Sequence, residues 1–179
     1  MILFAAIKLP YRITRELTRH QKGVSGARWS DPEKLHITLG YFGQVNDERA
    51  EMLDEALARK PIPSFELSLR GAGHFGHAEP HAVWVGVEPS EALTRLHEHC
   101  KSCARKAGIV MEKRLYRPHV TLAYLRPHSP LDRIISFEKR LADFEAGPFL
   151  ADEFFLFSSH RKTRGPNIYR PEASYPLIG

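Results

Sequence analysis

The sequence contains little cysteine and no long apolar run. Only Cys100 and Cys103 occur among its 179 residues. The apolar segment of residues 1–7 lacks the basic start and the cleavage signal of a signal peptide. Because Lys8 ends it, the segment is too short to span a bilayer. We therefore interpret it as a first strand, and we expect a cytoplasmic protein with no membrane segment.

Two common enzyme motifs are also absent. Without a Gly-x-Ser-x-Gly elbow, nucleophilic catalysis by a serine is a poor hypothesis, and without a Gly-x-x-x-x-Gly-Lys loop, dependence on ATP is not expected. Acidic residues are the minority, with 21 Asp and Glu against 26 Lys and Arg. The resulting charge of +5 favours a polyanionic partner.

The two cysteines have the Cys-x-x-Cys spacing of redox and zinc sites. Residues 91–107, however, repeat apolar residues at intervals of three and four, which predicts a helix with both Cys100 and Cys103 on its buried stripe. His97 and His99 would then point elsewhere. A redox pair is expected at a helix N-terminus instead, so we predict that these thiols fill the core.

A cluster of His74, His77 and His81 could indicate a metal site. The segment is rich in glycine and includes Pro80, which predicts an exposed hairpin loop. No carboxylate or thiol stands at ligand spacing, so no metal is expected.

The sequence does contain one four-residue phrase twice. The copies are His36-Ile37-Thr38-Leu39 and His119-Val120-Thr121-Leu122. Each lies in an apolar run that predicts a strand, so each His shares a face with its Thr while the neighbouring apolar side chains face the core. Two imidazoles and two hydroxyls brought together could hold a phosphoryl group and move a proton on each side of it.

The predicted elements repeat in the same order around the two phrases. Strands are predicted at 2–9, 35–42, 65–70, 83–87, 119–125, 149–157 and 168–177, and helices at 11–22, after a cap at Asn46, at 91–107 and from Ser129 onward. The phrases are 83 residues apart. We interpret this as an internal duplication: an α+β fold of two similar lobes that share a cleft, forming one domain over residues 1–179.

The two phrases and the residues before them resemble a known family. The segment Trp29-Ser30-Asp31-Pro32-Glu33-Lys34-Leu35 precedes the first copy, and Arg117-Pro118 precedes the second. Together they resemble the two-histidine phosphoesterases, and more narrowly the RNA 2′,3′-cyclic phosphodiesterases, historically called 2′-5′ RNA ligases. The resemblance implies two antiparallel sheets related by a pseudo-two-fold axis around a central cleft, with helices outside.

The resemblance also implies a reaction that needs no metal and no cofactor. His36 would donate a proton to the departing 3′ oxygen, His119 would accept one from water, and Thr38 and Thr121 would donate to the non-bridging phosphate oxygens. The product would be a 2′-phosphate. The reverse reaction, 2′-5′ ligation, uses the same proton transfers. The symmetry of the two phrases does not decide which His is the acid.

Phosphate anchoring departs from the family pattern. Relatives commonly place Arg five residues after the second His, where this chain has Tyr124, and the nearest arginine is Arg126. That contact could come from Arg126, or from Arg161 and Arg164 in the loop before the last strand. Aromatic Tyr41, Tyr124 or Phe75 could stack a terminal base.

Two other functions stay open at this point. The chain could act on small nucleoside or ADP-ribose cyclic phosphates, or it could bind RNA ends without turnover. The intact His and Thr in both phrases argue against the second. Basic residues near the second phrase and the last hairpin favour RNA with a 2′,3′-cyclic phosphate end as the partner; they are Lys113, Arg114, Arg117, Arg161, Lys162 and Arg164. We expect the protein to be a monomer.

Overall fold

The computed structural model describes residues 1–179 as two antiparallel sheets covered by four α-helices. The strands are β1 (Ile2–Lys8), β2 (Arg28–Trp29), β3 (His36–Gln44), β4 (Phe65–Phe75), β5 (Ala82–Val87), β6 (His119–Tyr124), β7 (Glu145–Ala151), β8 (Glu153–His160) and β9 (Ile168–Pro176). The helices are α1 (Tyr11–Thr18), α2 (Asp47–Arg59), α3 (Glu91–Lys106) and α4 (Leu131–Arg140). A short 3-10 turn, Pro32–Lys34, precedes β3.

Local signals explain where the long helices begin. The Asn46 side chain accepts a hydrogen bond of 2.9 Å from the amide of Arg49, which caps α2. The Ser90 hydroxyl does the same for the amide of Leu93 in α3, at 3.1 Å. Each cap satisfies an amide that the first helical turn leaves without a partner.

Both sheets combine strands from the two halves of the chain. The order is β3-β1-β8-β9 in the first sheet and β2-β6-β5-β4-β7 in the second. Helices α2 and α3 pack on the first sheet, and α1 and α4 pack on the second. The chain therefore crosses between the sheets repeatedly. The crossings place β3 and β6, which carry the two His-Thr phrases, in contact where the sheets meet.

Several sequence predictions were wrong in detail. The single strand at 149–157 is two strands, β7 and β8, which belong to different sheets. Strand β4 extends to Phe75, so His74 lies in a strand and contacts Glu138 of α4. Helix α1 ends at Thr18, well short of 22. The periodicity of a single segment does not predict these features, because each depends on contacts with a distant part of the chain.

The core is continuous across both sheets. One cluster of 37 buried residues includes Cys100 and Cys103, as predicted. Burial raises the pKa of both thiols. The expectation that His97 points elsewhere was wrong, since its ring is buried. No three His, Cys, Asp or Glu side chains are grouped so that they could hold a metal ion. None of the helices combines the length and apolar character needed to cross a membrane.

Candidate active site

The first His-Thr phrase lies on β3 with its polar side chains turned away from the core. Ile37 and Leu39 are fully buried, whereas His36 and Thr38 remain partly exposed. The alternation of a strand predicts this arrangement. The second phrase repeats it on β6, where the residues after His119 and Thr121 are the buried ones.

A β-bulge interrupts the first phrase. Ala5 of β1 pairs with Gly40 of β3, but Ala6 pairs with Thr38, so Leu39 is an extra residue without a partner. A bulge bends its strand and frees backbone groups from the ladder.

The second phrase carries the same bulge at the same place. Val83 of β5 pairs with Ala123, but Trp84 pairs with Thr121, so Leu122 has no partner. The internal duplication therefore includes the local distortion of both strands as well as their residue types.

The carbonyl groups freed at the first bulge are held from outside the sheet. His97 of α3 donates from Nδ1 to the Leu39 carbonyl oxygen at 2.6 Å, and the Tyr116 hydroxyl donates to the Thr38 carbonyl oxygen at 2.7 Å. The two rings stack, with centroids 3.8 Å apart and planes 3° from parallel. The stacked pair fixes the backbone beneath Thr38.

The carbonyl group freed at the second bulge has equivalent partners. The Leu122 carbonyl oxygen accepts from the Ser30 amide at 2.8 Å and from Gln21 Nε2 at 3.2 Å. Ser30 lies just before β3, while Tyr116 lies just before β6. Each phrase is thus braced by the segment that leads into the other, which ties the two positions together.

Each catalytic candidate histidine is oriented by a backbone carbonyl two residues earlier. His36 Nδ1 donates to the Lys34 carbonyl oxygen at 2.6 Å, and His119 Nδ1 donates to the Arg117 carbonyl oxygen at 2.6 Å. A carbonyl only accepts, so Nδ1 carries a proton in both rings. Nε2 is then the nitrogen that accepts a proton when the ring is neutral and donates one when it is charged.

Burial lowers the pKa of both histidines from the usual 6.5. The hydrogen bonds to Lys34 and Arg117 raise the two pKa values in part, and the charge of His119 lowers the pKa of His36 further. A positive charge on one ring therefore disfavours a charge on the other. This coupling disfavours the state with both imidazoles protonated, whereas acid-base catalysis requires one neutral and one protonated ring.

Aromatic rings enclose both imidazoles. The His36 ring lies 5.2 Å from the Phe4 ring and 5.7 Å from the Tyr169 ring, between centroids. The His119 ring meets Phe75 edge to face at 4.7 Å. These contacts limit the motion of the rings and desolvate them, which accounts for the lowered pKa values.

A groove of about 240 Å³ connects the two sheets beside His36. His36 of the first sheet and Thr121 of the second both line it. The other residues along it are Arg28, Trp29, Ser30, Asp31, Lys34, Tyr124, Pro166 and Tyr169. The groove is therefore cationic and aromatic, which suits an anionic nucleotide.

Arg28, Lys34 and Tyr169 are among the groove residues that the sequence did not predict as site residues. Arg28 pairs across the sheet with Tyr124, its guanidinium 5.7 Å from the centre of that ring, and the Lys34 ammonium lies 5.4 Å from the centre of the Tyr169 ring. Burial, together with Tyr124, raises the pKa of Tyr169 to about 12, so its hydroxyl stays protonated. Arg28 stands outside every predicted element, and only strand pairing brings it here.

The other predicted binding residues lie in different places. Tyr124 lines the groove. Tyr41 pairs with Phe4, so it shares the face of Thr38, but it lies outside the groove. Arg126, Arg161 and Arg164 are exposed and do not line it, although the loop of the last two contributes Pro166; their contact with substrate stays a prediction.

The chain is similar to a set of known proteins along nearly its whole length. Residues 10–163 match the model of the 2′-5′ RNA ligase superfamily. An RNA 2′,3′-cyclic phosphodiesterase of Archaeoglobus fulgidus is 28% identical over 174 residues, covering 95% of this chain and 97% of the relative. The enzyme of the same name from Aeropyrum pernix is 31% identical, covering 78% and 80%. The crystal structure of Escherichia coli LigT complexed with 3′-AMP has a TM-score of 0.77 at 26% identity, covering 99% and 98%.

Proposed function

The chain belongs to the 2′-5′ RNA ligase superfamily, and on that premise we propose that it hydrolyses RNA 2′,3′-cyclic phosphate ends to 2′-phosphates. It is a phosphodiesterase, as are relatives that match most of its length. The proposal is supported above all by the matched pair of histidines. In each, Nδ1 is hydrogen-bonded to a backbone carbonyl oxygen, so Nε2 is the nitrogen available for proton transfer.

Displacement at phosphorus requires the entering and leaving oxygens to lie on opposite sides. The leaving 3′ oxygen belongs to the terminal ribose, so that nucleoside must sit beside the general acid. The cationic, aromatic groove that suits a nucleotide includes His36 in its lining. We therefore assign His36 as the proton donor to the 3′ oxygen and His119 as the base that accepts a proton from water.

Hydrogen-bond donors and cations stabilise the charge that develops on the non-bridging oxygens. Thr38 and Thr121 share the faces of the two histidines and can donate their hydroxyl protons. Arg28 and Lys34 supply positive charge in the groove. These groups and the two proton transfers account for the reaction without a Lewis acid.

The first experiment is incubation with an RNA that ends in a 2′,3′-cyclic phosphate, with the phosphate position in the product read by NMR or mass spectrometry. We expect a 2′-phosphate, at a rate that EDTA does not change. His36→Ala and His119→Ala should each lower turnover by about 10² to 10⁴ while the circular dichroism spectrum is kept. Full activity in either folded variant would remove the proposed site, and binding without turnover would support an RNA-end binder.

A cyclic phosphate of a single small nucleotide is the second candidate substrate, because the groove is small, about 240 Å³. RNA differs by its upstream phosphates. If exposed Arg161 and Arg164 contact them, affinity should rise with oligonucleotide length and fall with salt, by about 0.7 in logarithmic slope per phosphate on a single strand. The double substitution to alanine should flatten this slope. Equal efficiency and equal salt dependence for mononucleotide and oligonucleotide would favour the small substrate.

A further inference from the structure

Trp84 lies across the face of the second sheet beside His119. It pairs with Thr121 of β6 and with Gly73 of β4. A Cβ atom on Gly73 would stand 2.4 Å from Cζ2 of the indole, so glycine is required for the ring to lie there. The indole centroid is 6.1 Å from the His119 ring and 5.5 Å from the Phe75 ring. Trp84 and Phe75 together form an aromatic shelf on the His119 side of the cleft.

The position of Trp84 is not explained by a hydrogen bond. Its Nε1 is the only buried side-chain nitrogen or oxygen without a partner in the structure. Indole N–H groups usually find an acceptor when buried, because leaving the donor unpaired costs free energy. The side chain is nevertheless half-buried and lies on the face of Thr121. Since Nε1 is buried, a ligand can use the indole only through the exposed part of its ring.

The shelf lies on the side from which the nucleophile enters, given the proposed function. The terminal nucleoside occupies the groove beside His36, so His119 faces the entering oxygen. A water molecule needs no aromatic surface there. An alcohol carried by a nucleoside does, because its base must be held while its hydroxyl reaches phosphorus.

We propose that Trp84 and Phe75 bind the base of an acceptor nucleoside whose 5′-hydroxyl replaces water and is joined in a 2′-5′ linkage. The 5′ oxygen forms a bond to phosphorus as the bond to the 3′ oxygen breaks. His119 takes the proton of the 5′-hydroxyl, and His36 gives a proton to the 3′ oxygen. Atoms and charge balance without a further reactant, since solvent restores the two imidazoles. This inference rests on the proposed phosphodiesterase activity and assigns its acceptor site.

The test is a competition between two acceptors for RNA with a 2′,3′-cyclic phosphate end. Adenosine and a base-free methyl riboside, at equal concentration, both offer a primary 5′-hydroxyl, but only adenosine can stack. The measured quantity is the ratio of 2′-5′-linked product to 2′-phosphate in one mixture. Both products need His119, so the ratio is insensitive to damage at that residue. We expect a ratio about 10-fold higher with adenosine, since stacking on an aromatic side chain stabilises a bound base.

Substitution should abolish this preference. In Trp84→Leu the product ratio with adenosine should fall to the ratio with the riboside. Phe75→Leu and Trp84→Phe should each lower the adenosine ratio in part. These two variants test the proposal if Trp84→Leu does not fold. Trp29→Phe is the matched control, because Trp29 lines the groove and lies on β2, separated from Trp84 by strand β6. Its ratio should stay at the wild-type value whatever happens to total turnover.

A direct binding measurement separates failure of this inference from failure of the proposed function. The chain has two tryptophans, so Trp29→Phe leaves Trp84 as the only one. Adenosine without RNA should quench its fluorescence, and the riboside should not. Quenching without turnover would retain the shelf and overturn the phosphodiesterase. Hydrolysis that depends on both histidines, with equal ratios for both acceptors and no quenching, would overturn the shelf.

Discussion

At the scale of single residues, the two histidines differ in environment although their sequences are alike. Burial lowers both pKa values below 6.5, and His119 lowers that of His36 further. His36 must be protonated to act as the acid, and His119 must be neutral to act as the base. The plot of kcat/KM against pH should therefore be bell-shaped, with its maximum below pH 6.5. At higher pH kcat/KM should decline because His36 loses its proton. Bound phosphate, being anionic, raises both pKa values and should move the kcat profile to higher pH. A kcat/KM that still rises above about pH 7.5 would contradict the assignment.

A second prediction at this scale concerns the arginine of the family pattern, in whose place this chain has Tyr124. Arg28 is the cross-strand neighbour of that position and lines the groove, whereas Arg126 does not. Arg28→Ala should lower kcat/KM by about 10- to 100-fold, since a hydrogen bond from a charged donor is worth about 1.5 to 3 kcal/mol. Arg126→Ala serves as the control and should change it by less than about threefold. The opposite ranking would transfer the anchoring role to Arg126.

At the scale of elements, the two β-bulges position the reactive side chains. The segments that hydrogen-bond to the bulges determine how firmly those side chains are held. Tyr116→Phe removes the donor to the Thr38 carbonyl oxygen. The free energy of unfolding should fall by about 1 kcal/mol, the usual contribution of a hydrogen bond. Because the bulge beneath Thr38 relaxes, kcat should fall severalfold while KM changes little.

Tyr175→Phe is the matched control for this prediction. The Tyr175 hydroxyl donates to Asp54 of α2 at 2.6 Å, away from both phrases. Its loss should cost at least as much stability, since the acceptor is a carboxylate, without a change in kcat. Equal kcat values in the two variants would show that the brace is structural only.

At the scale of the whole molecule, four histidines have pKa values that burial lowers below 6.5; they are His20, His36, His99 and His119. The unfolded chain therefore binds more protons than the folded chain as the pH falls past 6.5. Their contribution to stability is complete above pH 6.5 and is lost as the pH falls through the lowered values. Urea unfolding should give a smaller free energy at about pH 5 than at about pH 7.5.

His20 and His99 provide the control for that measurement, because neither lines the groove. The double variant His20→Gln and His99→Gln should show a weaker dependence of the unfolding free energy on pH than the parent. An unchanged dependence would mean that other groups, either His36 and His119 or carboxylates, produce it.

The amino-acid sequence determined the features that arise from local periodicity and local chemistry. The period of two around His36 and His119 predicted which side chains face the cleft, and the helical spacing over 91–107 predicted that Cys100 and Cys103 fill the core. Cap residues such as Asn46 predicted where a helix begins. These features need only neighbours along the chain, so one sequence contains them.

The tertiary structure alone decided what depends on contacts between distant segments. It divided 149–157 between two sheets, buried His97 beneath the first phrase, and placed Arg28, Lys34 and Tyr169 in the groove. It also set Trp84 beside His119. Strand pairing and crossings between sheets make these contacts, and periodicity within one segment does not specify which distant strand becomes its neighbour.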